Sequence, residues 1–588
     1  MIFGKAVNKY YLKYAHLFIF GLIALVIVDY VQLEIPILTG QLIDGLDQGT
    51  MDKSGILDLV KLIGIYVSMI IVGRFLWRMF IFGASRRVDY GIRNEMFEHC
   101  ENLSNSFYSE NKVGGLMAHF TNDVESVRRA IGPGMIMLVD ALFLGGLAFY
   151  HMFNLDVTMT LFAGIPLIII AILGAYMGRK MRNKFKEAQK AFEDLSDFTN
   201  ENLSGINVVK AFVKEETEIN EFLKINTRAK RKNISYVKSQ TLLQMSIRAI
   251  TGIIYVIILG YGGYLVHSTA GTTEEFTVGY LTTFILLFGS LLWPMRALAM
   301  IINVRSRGKG SLQRIERILD EVPDVFDSED VINVEEINGK LEFRNLSFKY
   351  PDGSEDALSN ISFKVNIGDT VGILGRTGSG KTSLVDLLLR LYNINENQLF
   401  IDGIDIMKLP IKKVRESIGY VPQDGFLFSD SISNNISFGL EKKKDYFNDI
   451  QEAAKLSDVH DNITEFSEEY ETIIGERGVT LSGGQRQRLS IARALIKDPA
   501  ILILDDSVSA VDTKTEETIL NNLNKVRKGK TTLIIAHRIS TIKDADKIII
   551  VDEGKVIDVG THSELLKRCT FYLDMVERQK LEDEVEVD

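Results

Sequence analysis

The chain changes character near residue 310. Before that point long apolar stretches recur, and after it short apolar runs alternate with amphipathic segments. Six stretches stand out in the first half: 15–38, 56–80, 131–153, 157–178, 247–268 and 279–302. A helix needs ~20 apolar residues to cross a bilayer, and several stretches reach that length. The stretch 157–178 carries no charge, and only Asn154, Leu155 and Asp156 separate it from the one before. This predicts a tight hairpin. The first stretch is interrupted by Asp29 and Glu34. Lys5, Lys9 and Lys13 precede it like the basic flank of a signal peptide, but no small-residue cleavage site follows, which predicts a retained span.

Those lysines place the N-terminus in the cytoplasm, and Arg179, Lys180, Arg182, Lys184, Lys186 and Lys190 place the end of the fourth span there too. Six spans with both ends inside satisfy these signs. The intervals after spans two and four are polar yet strongly helix-forming, as in Asn183–Asn200. They predict spans that continue as long helices into the cytoplasm. Each is broken once, at Lys112–Gly115 and at Gly205–Asn207, and such tips are suited to touching another domain.

The expected organisation is an all-α six-helix transmembrane domain over 1–310, a linker over 311–340, an α/β P-loop domain over 341–575 and an acidic tail over 576–588. The linker assignment rests on Asp320–Asn338, which is acidic and loop-like. From Leu341 strands and helices alternate, the pattern of a largely parallel sheet. Four predicted strands end in polar residues of special type. Val371–Leu374 runs into a glycine loop, Ile418–Val421 into Pro422-Gln423, Ile501–Leu504 into Asp505-Asp506, and Leu533–Ala536 into His537. Ligands of open α/β sheets bind outside the carboxyl ends of the strands, so these ends are expected at one site.

The glycine loop reads Gly375-Arg376-Thr377-Gly378-Ser379-Gly380-Lys381-Thr382, followed by Ser383 and a helical segment. It matches the P-loop pattern for ATP. Glycines let successive N–H groups turn toward phosphates, and the helix N-terminus adds partial positive charge. Lys381 adds a full charge, and the Thr382 hydroxyl suits Mg²⁺. A lone strand-end aspartate is more often a cap or turn residue. With a P-loop upstream, Asp505 is the carboxylate expected to hold Mg²⁺.

Composition narrows the field. The mean hydropathy is +0.09 although charged residues make up 24% of the chain, so the apolar excess is concentrated in the first half. The net charge of −10 disfavours a nucleic-acid partner. Cys100 and Cys569 are the two cysteines, far apart and in no ligand spacing, so neither a disulfide framework nor a thiolate metal site is expected.

Between the P-loop and His537 lies Leu481-Ser482-Gly483-Gly484-Gln485, followed by Arg486-Gln487-Arg488 and Arg493. With Gln423, Asp505 and His537, this resembles the ABC transporter family in motif and in order. The likeness covers essentially the whole chain, as a half-transporter of the exporter type. It implies that Tyr350 stacks on adenine, that Gln423 touches Mg²⁺ and senses the membrane domain, and that Ser482–Gln485 closes over ATP held by a second cassette. It further implies that His537 holds the γ-phosphate and the attacking water. Asp512 would reach across the dimer interface, and Glu476-Arg477-Gly478 would relay motion. Gly114–Val124 and Asn202–Glu216 resemble the membrane-domain segments that touch the cassettes.

One position departs from the pattern. The family usually has Glu after the strand-end Asp, as the base that polarises water, and here that residue is Asp506. Its side chain is shorter by one C–C bond, ~1.5 Å. A misplacement of ~1 Å costs on the order of 10²-fold in rate, so hydrolysis at this site is expected to be slow. Exporters built from two different half-chains commonly pair such a chain, with its intact signature, with one that carries the Glu. A heterodimer is therefore favoured over a homodimer. The expected cofactors are ATP and Mg²⁺, the setting is the cell membrane and its lipid, and the solute is small and amphipathic or drug-like. A lipid flippase, or a regulatory subunit whose nucleotide site gates its partner, shares nearly all of these features. Asp29, Glu34, Arg74, Arg78, Asp140 and Arg296 are charged groups within or beside spans, where charge is costly and often functional.

Overall fold

The computed structural model describes residues 3–272, 275–440, 446–475, 478, 480–508 and 511–587. The chain forms two compact units, Met1–Glu98 with Leu116–Asp320, and His99–Gly115 with Glu321–Asp588.

In the first unit, six helical segments are long and apolar enough to cross a membrane. They are α1 (Ala15–Asp47), α2 (Lys53–Asn102), α4 (Val113–Leu155), α5 (Val157–Ser204), α7 (Glu215–Thr269) and α8 (Val278–Leu319). A short helix, Lys5–Lys13, precedes α1, and the short helices α3 (Asn105–Glu110), which falls in the second unit, and α6 (Ile206–Ala211) lie between the spans. Helices α2, α5 and α7 have 50, 48 and 55 residues. At ~1.5 Å per residue each exceeds twice the hydrocarbon thickness, so the polar intervals do continue the spans.

Local chemistry sets the boundaries. Asp156 is extended between α4 and α5, and its Oδ1 accepts from Met159 N at 2.5 Å, which caps α5 and makes the predicted hairpin. Gly205 ends α5, as its residue type suggested. Helices α1 and α8 meet at a glycine pair. A Cβ on Gly40 would lie 2.6 Å from Gly279 O, and one on Gly279 would lie 2.2 Å from Gly40 O. Small residues allow this backbone approach between membrane helices. Asp44 secures it, accepting from Thr277 Oγ1 and Gly279 N, each at 2.7 Å.

Asp29 and Asp140 are buried among these helices rather than facing water. Trp293 Nε1 donates to Asp140 Oδ2 at 2.6 Å, and Arg74 donates to Gln32 Oε1 at 2.9 Å rather than to either carboxylate.

In the second unit the cassette is built on β1 (Leu341–Phe348), β2 (Leu358–Val365), β3 (Thr370–Leu374), β4 (Leu399–Ile401), β5 (Ile404–Asp405), β6 (Ile418–Val421), β7 (Ile501–Asp505), β8 (Thr531–Ala536), β9 (Lys547–Asp552) and β10 (Lys555–Gly560). Strands β2-β1-β4-β5 form one antiparallel sheet, and β10-β9-β3-β8-β7-β6 form the other. Strands β9, β3, β8, β7 and β6 run parallel. Strand β7 is buried at all five positions and β8 at all six, which is why both read as continuous apolar runs.

This unit also holds residues 99–115, so its membrane-side tip lies earlier than Gly114–Val124. Helix α2 stops at Asn102, and Ser104 is extended before α3. Asn105 Nδ2 donates to the Tyr392 hydroxyl at 3.0 Å, and Asp324 N donates to Ser104 Oγ at 3.1 Å. The expected break at Lys112–Gly115 is present at its first residue, since the chain is non-helical at Asn111 and Lys112, while Gly114 and Gly115 are helical within α4.

After the short helix α12 (His562–Arg568), helix α13 (Thr570–Val587) runs through the stretch expected as an acidic tail. Its Tyr572 and Val576, four residues apart on one face, are buried with Leu374, Ala536 and Ile539.

Candidate functional site

The strand register assembles the site. Leu374 pairs with Ala536, Asp505 with Ile535, and Val421 with Leu504. The carboxyl ends of β3, β8, β7 and β6 therefore stand side by side, at ~4.8 Å per strand. In that order they carry the P-loop, His537, Asp505-Asp506 and Gln423.

The loop after β3 wraps the start of α9 (Lys381–Leu388). Gly378 and Gly380 have φ of 80° and 97°, where glycine is at home. At Gly375 the reason is space, because a Cβ there would lie 2.0 Å from Val551 O. Lys381 Nζ donates to the carbonyls of Gly375 at 2.7 Å and Arg376 at 2.8 Å, which holds the ammonium inside the loop. Burial pulls the Lys381 pKa down, and the charges of Asp505, Asp506 and Asp552 oppose that shift. Burial pushes the Asp505 carboxyl up, against a hydrogen bond from Thr382 and the charge of Lys381.

Two buried polar atoms at this loop, Ser379 Oγ and Asp505 Oδ2, have no protein partner. Buried polar groups are normally satisfied, so these two are free for a ligand. A lysine held on two loop carbonyls, a threonine hydroxyl on a carboxylate and an open carboxylate oxygen are groups that fit Mg²⁺–ATP. Bound Mg²⁺ would neutralise charge on the phosphate oxygens during transfer.

Asp506 follows with φ of 46°, and its N–H donates to Ile535 O at 2.9 Å. Aspartate is among the residues enriched in this left-handed region. Gln423 Nε2 donates to Asp506 Oδ2 at 3.4 Å, and Gln487 Nε2 donates to the Gln423 carbonyl at 3.4 Å. Gln423 is thus brought to the carboxylate that departs from the family pattern.

Tyr350 is half-buried beside α9. Its hydroxyl donates to Asp386 Oδ2 at 3.1 Å and lies 3.0 Å from Ser383 Oγ, whose hydroxyl is free to donate to it, and its ring stands edge-on to Tyr392 at 5.2 Å. Burial pushes its pKa up to about 12.

Ser482, Gly483, Gly484 and Gln485 are placed apart from this assembly. They start α10 (Gly483–Leu495) with a capping box, in which Gln485 N donates to Ser482 Oγ and Ser482 N donates to Gln485 Oε1. Among the described residues no hydrogen bond joins them to the P-loop. Asp512 caps α11 (Thr513–Val526) by accepting from Thr515 N at 3.0 Å. Glu476, Arg477, Ser509 and Ala510 lie outside the described residues.

Two residues support the site from outside it, Arg493, read from the sequence only as part of the signature region, and Gln579, which the sequence reading missed. Arg493 donates to Asn435 O, Asn435 Oδ1 and Phe426 O, each at 2.8 Å, and so pins the segment after Gln423. Burial lowers its pKa to about 10. Gln579 on α13 donates to His537 O and accepts from Ile539 N. An amide on the same helical face as Tyr572 and Val576 was the available signal.

A P-loop at the switch from strand to helix, a buried strand-end carboxylate beside it and a helix begun by Ser482–Gln485 define a nucleotide-binding cassette, joined here to six membrane helices. Residues 18–295 match the family model described as ABC transporter transmembrane region, and residues 358–509 match the one described as ABC transporter. The chain is 36% identical over 579 residues to the probable multidrug resistance ABC transporter ATP-binding/permease protein YheI of Bacillus subtilis, covering 98% of this chain and 97% of that one. It is 36% identical to an ATP-dependent lipid A-core flippase of Syntrophus aciditrophicus, over 85% and 82% of the two chains. A bacterial Atm1-family ABC exporter with ATP bound has the same fold, with a TM-score of 0.75 and 25% identity over 97% of this chain and 99% of that one. This chain belongs to the ABC transporter family. It is an ATP-hydrolysing exporter, multi-pass in the membrane, with its cassette in the cytoplasm.

Proposed function

We propose that the chain is one half of a heterodimeric exporter of amphipathic or drug-like solutes, with a slow ATP site of its own. The observation that carries this is Asp506. A carboxylate one bond short of the usual base, held at φ of 46° and bonded to Gln423, positions water poorly. His537 holds the γ-phosphate of ATP seated on Gly375–Ser383, and Tyr350 carries the adenine. Thr382, Gln423 and Asp505 hold Mg²⁺. Ser482–Gln485 completes the faster site on the partner, which retains a Glu at the matching position. Full-rate hydrolysis by this chain purified alone as a homodimer would overturn the proposal. Turnover that appears only on adding a Glu-bearing partner chain supports it.

A cavity of about 1090 Å³ in the membrane unit favours lipid-like solutes as a second reading. Leu167, Ile170 and Leu292 line its apolar part, while Arg182, Arg296 and Arg307 line it without any carboxylate. That division suits an amphiphile with an acidic head. Movement of a labelled anionic lipid between leaflets of proteoliposomes, dependent on ATP, is the test.

A further inference from the structure

Helix α13 touches both loops that flank the phosphate end of the nucleotide site. At its start the Phe571 ring lies 5.0 Å from the Arg376 guanidinium of the P-loop, within cation–π range. One residue on, Tyr572 is fully buried, and its hydroxyl is hydrogen-bonded to His562 Nδ1 at 2.6 Å, which fixes the helix at its root. One turn further, Val576 is buried with Tyr572 against Leu374 and Ala536, the last residues of β3 and β8. Gln579 comes next on that face. Its side chain spans the turn after β8, with Oε1 accepting from Ile539 N at 2.8 Å and Nε2 donating to His537 O. An amide has one acceptor and one donor group, and both are used on backbone groups two residues apart.

We propose that Gln579 is a positioning residue that fixes the backbone of the His537 turn and thereby sets the reach of His537 to the γ-phosphate. The inference rests on the role given above to His537. Among the described residues no other side chain of α13 hydrogen-bonds that turn's backbone on both sides, so removing the amide frees the turn while the buried face of the helix stays docked. The turn would then sample orientations in which the imidazole misses the γ-phosphate. ADP lacks that phosphate and is indifferent to the change.

The test uses the full-length chain in phospholipid nanodiscs at low temperature with Mg²⁺. ATP and ADP compete against a fluorescent nucleotide, and the ratio of their affinities is read for the native chain, Gln579→Ala, Gln579→Glu and His537→Ala. Gln579→Ala is expected to lower ATP affinity by about 3- to 10-fold, the loss of one or two hydrogen bonds, with ADP affinity unchanged. His537→Ala shifts the ratio in the same direction. Gln579→Glu keeps the acceptor for Ile539 N and loses the donor for His537 O, so it falls between. Amide exchange of 537–541 quickens in Gln579→Ala while that of β8 does not. If His537→Ala shifts the ratio and Gln579→Ala does not, the inference fails and the role of His537 stands. If Gln579→Ala weakens ATP and ADP alike, the helix is a general support and the inference fails. If His537→Ala leaves the ratio unchanged, the role of His537 fails and the inference goes with it.

Discussion

Gln423 Nε2 lies 3.4 Å from Asp506 Oδ2, so the residue expected to sense the membrane domain is hydrogen-bonded to the carboxylate at the catalytic-base position. The two sit at the ends of neighbouring strands β6 and β7, which sets that spacing. Asp506→Glu adds one C–C bond at this point. It is expected to raise single-site hydrolysis on the order of 10²-fold, the size of a ~1 Å correction in position. Asp506→Ala is expected to leave the turnover of the assembled pair within about two-fold, because the faster site belongs to the partner; a shift of that size is below ~0.5 kcal/mol of barrier. Phosphate release by the pair and by each single variant checks both outcomes. A dead pair from Asp506→Ala would refute the asymmetry.

Two glycines of the P-loop are expected to differ sharply on substitution by alanine. At Gly375 the new Cβ meets Val551 O at 2.0 Å, a backbone atom that cannot swing away. At Gly378 nothing lies within 4 Å, and the cost is only that of φ at 80°. A left-handed alanine costs ~1–2 kcal/mol, so Gly378→Ala should weaken ATP binding by about 5- to 30-fold, while Gly375→Ala should abolish it. Titration with a fluorescent nucleotide separates them.

The parts legible in the sequence are those written in local pattern. The six spans, the Asp156 hairpin and the strand-end order of P-loop, His537, Asp505 and Gln423 all follow from runs of apolar residues and the polar residue that ends each run. Three features needed tertiary structure. The contact tip at Asn105–Glu110 was masked by Gly114 and Gly115, which invite a break yet remain helical. Gln579 acts on a turn some 40 residues away, and no local pattern reports that distance. The Tyr350 hydroxyl looked like the tip of an adenine platform, yet it is anchored on Ser383 and Asp386. The common cause is that sequence periodicity reports which face of an element is buried, not which partner buries it.

Arg493 joins α10 to the loop after Gln423 through three hydrogen bonds. Its fork geometry is used, since Nε and Nη2 both reach Asn435 while Nη1 reaches Phe426. Lysine keeps the charge and loses the fork. Arg493→Lys is therefore expected to lose two of the three bonds, at about 1 kcal/mol each, and to quicken amide exchange across 423–436. Nucleotide affinity should change by less than three-fold, below ~0.7 kcal/mol, because the P-loop is untouched. Exchange in this segment that matches the native chain would show that Arg493 does not hold it.

Tyr350 offers a cleaner separation of two roles, because its hydroxyl and its ring do different things. The hydroxyl is held by Ser383, the residue after Thr382, and by Asp386 one turn along α9. In the proposed reading the ring presents a face to adenine. Tyr350→Phe removes only the anchor and leaves Asp386 half-satisfied, which is expected to weaken ATP by about three-fold. Tyr350→Ala also removes the stacking surface, worth ~1–3 kcal/mol in base–aromatic contacts, and should cost about 5- to 150-fold more. A nucleotide whose base cannot stack, such as a ribose triphosphate lacking adenine, should bind native chain and both variants within about two-fold of one another. Competition assays with ATP and that analogue decide the matter, and equal losses for Phe and Ala would show that the ring carries no adenine.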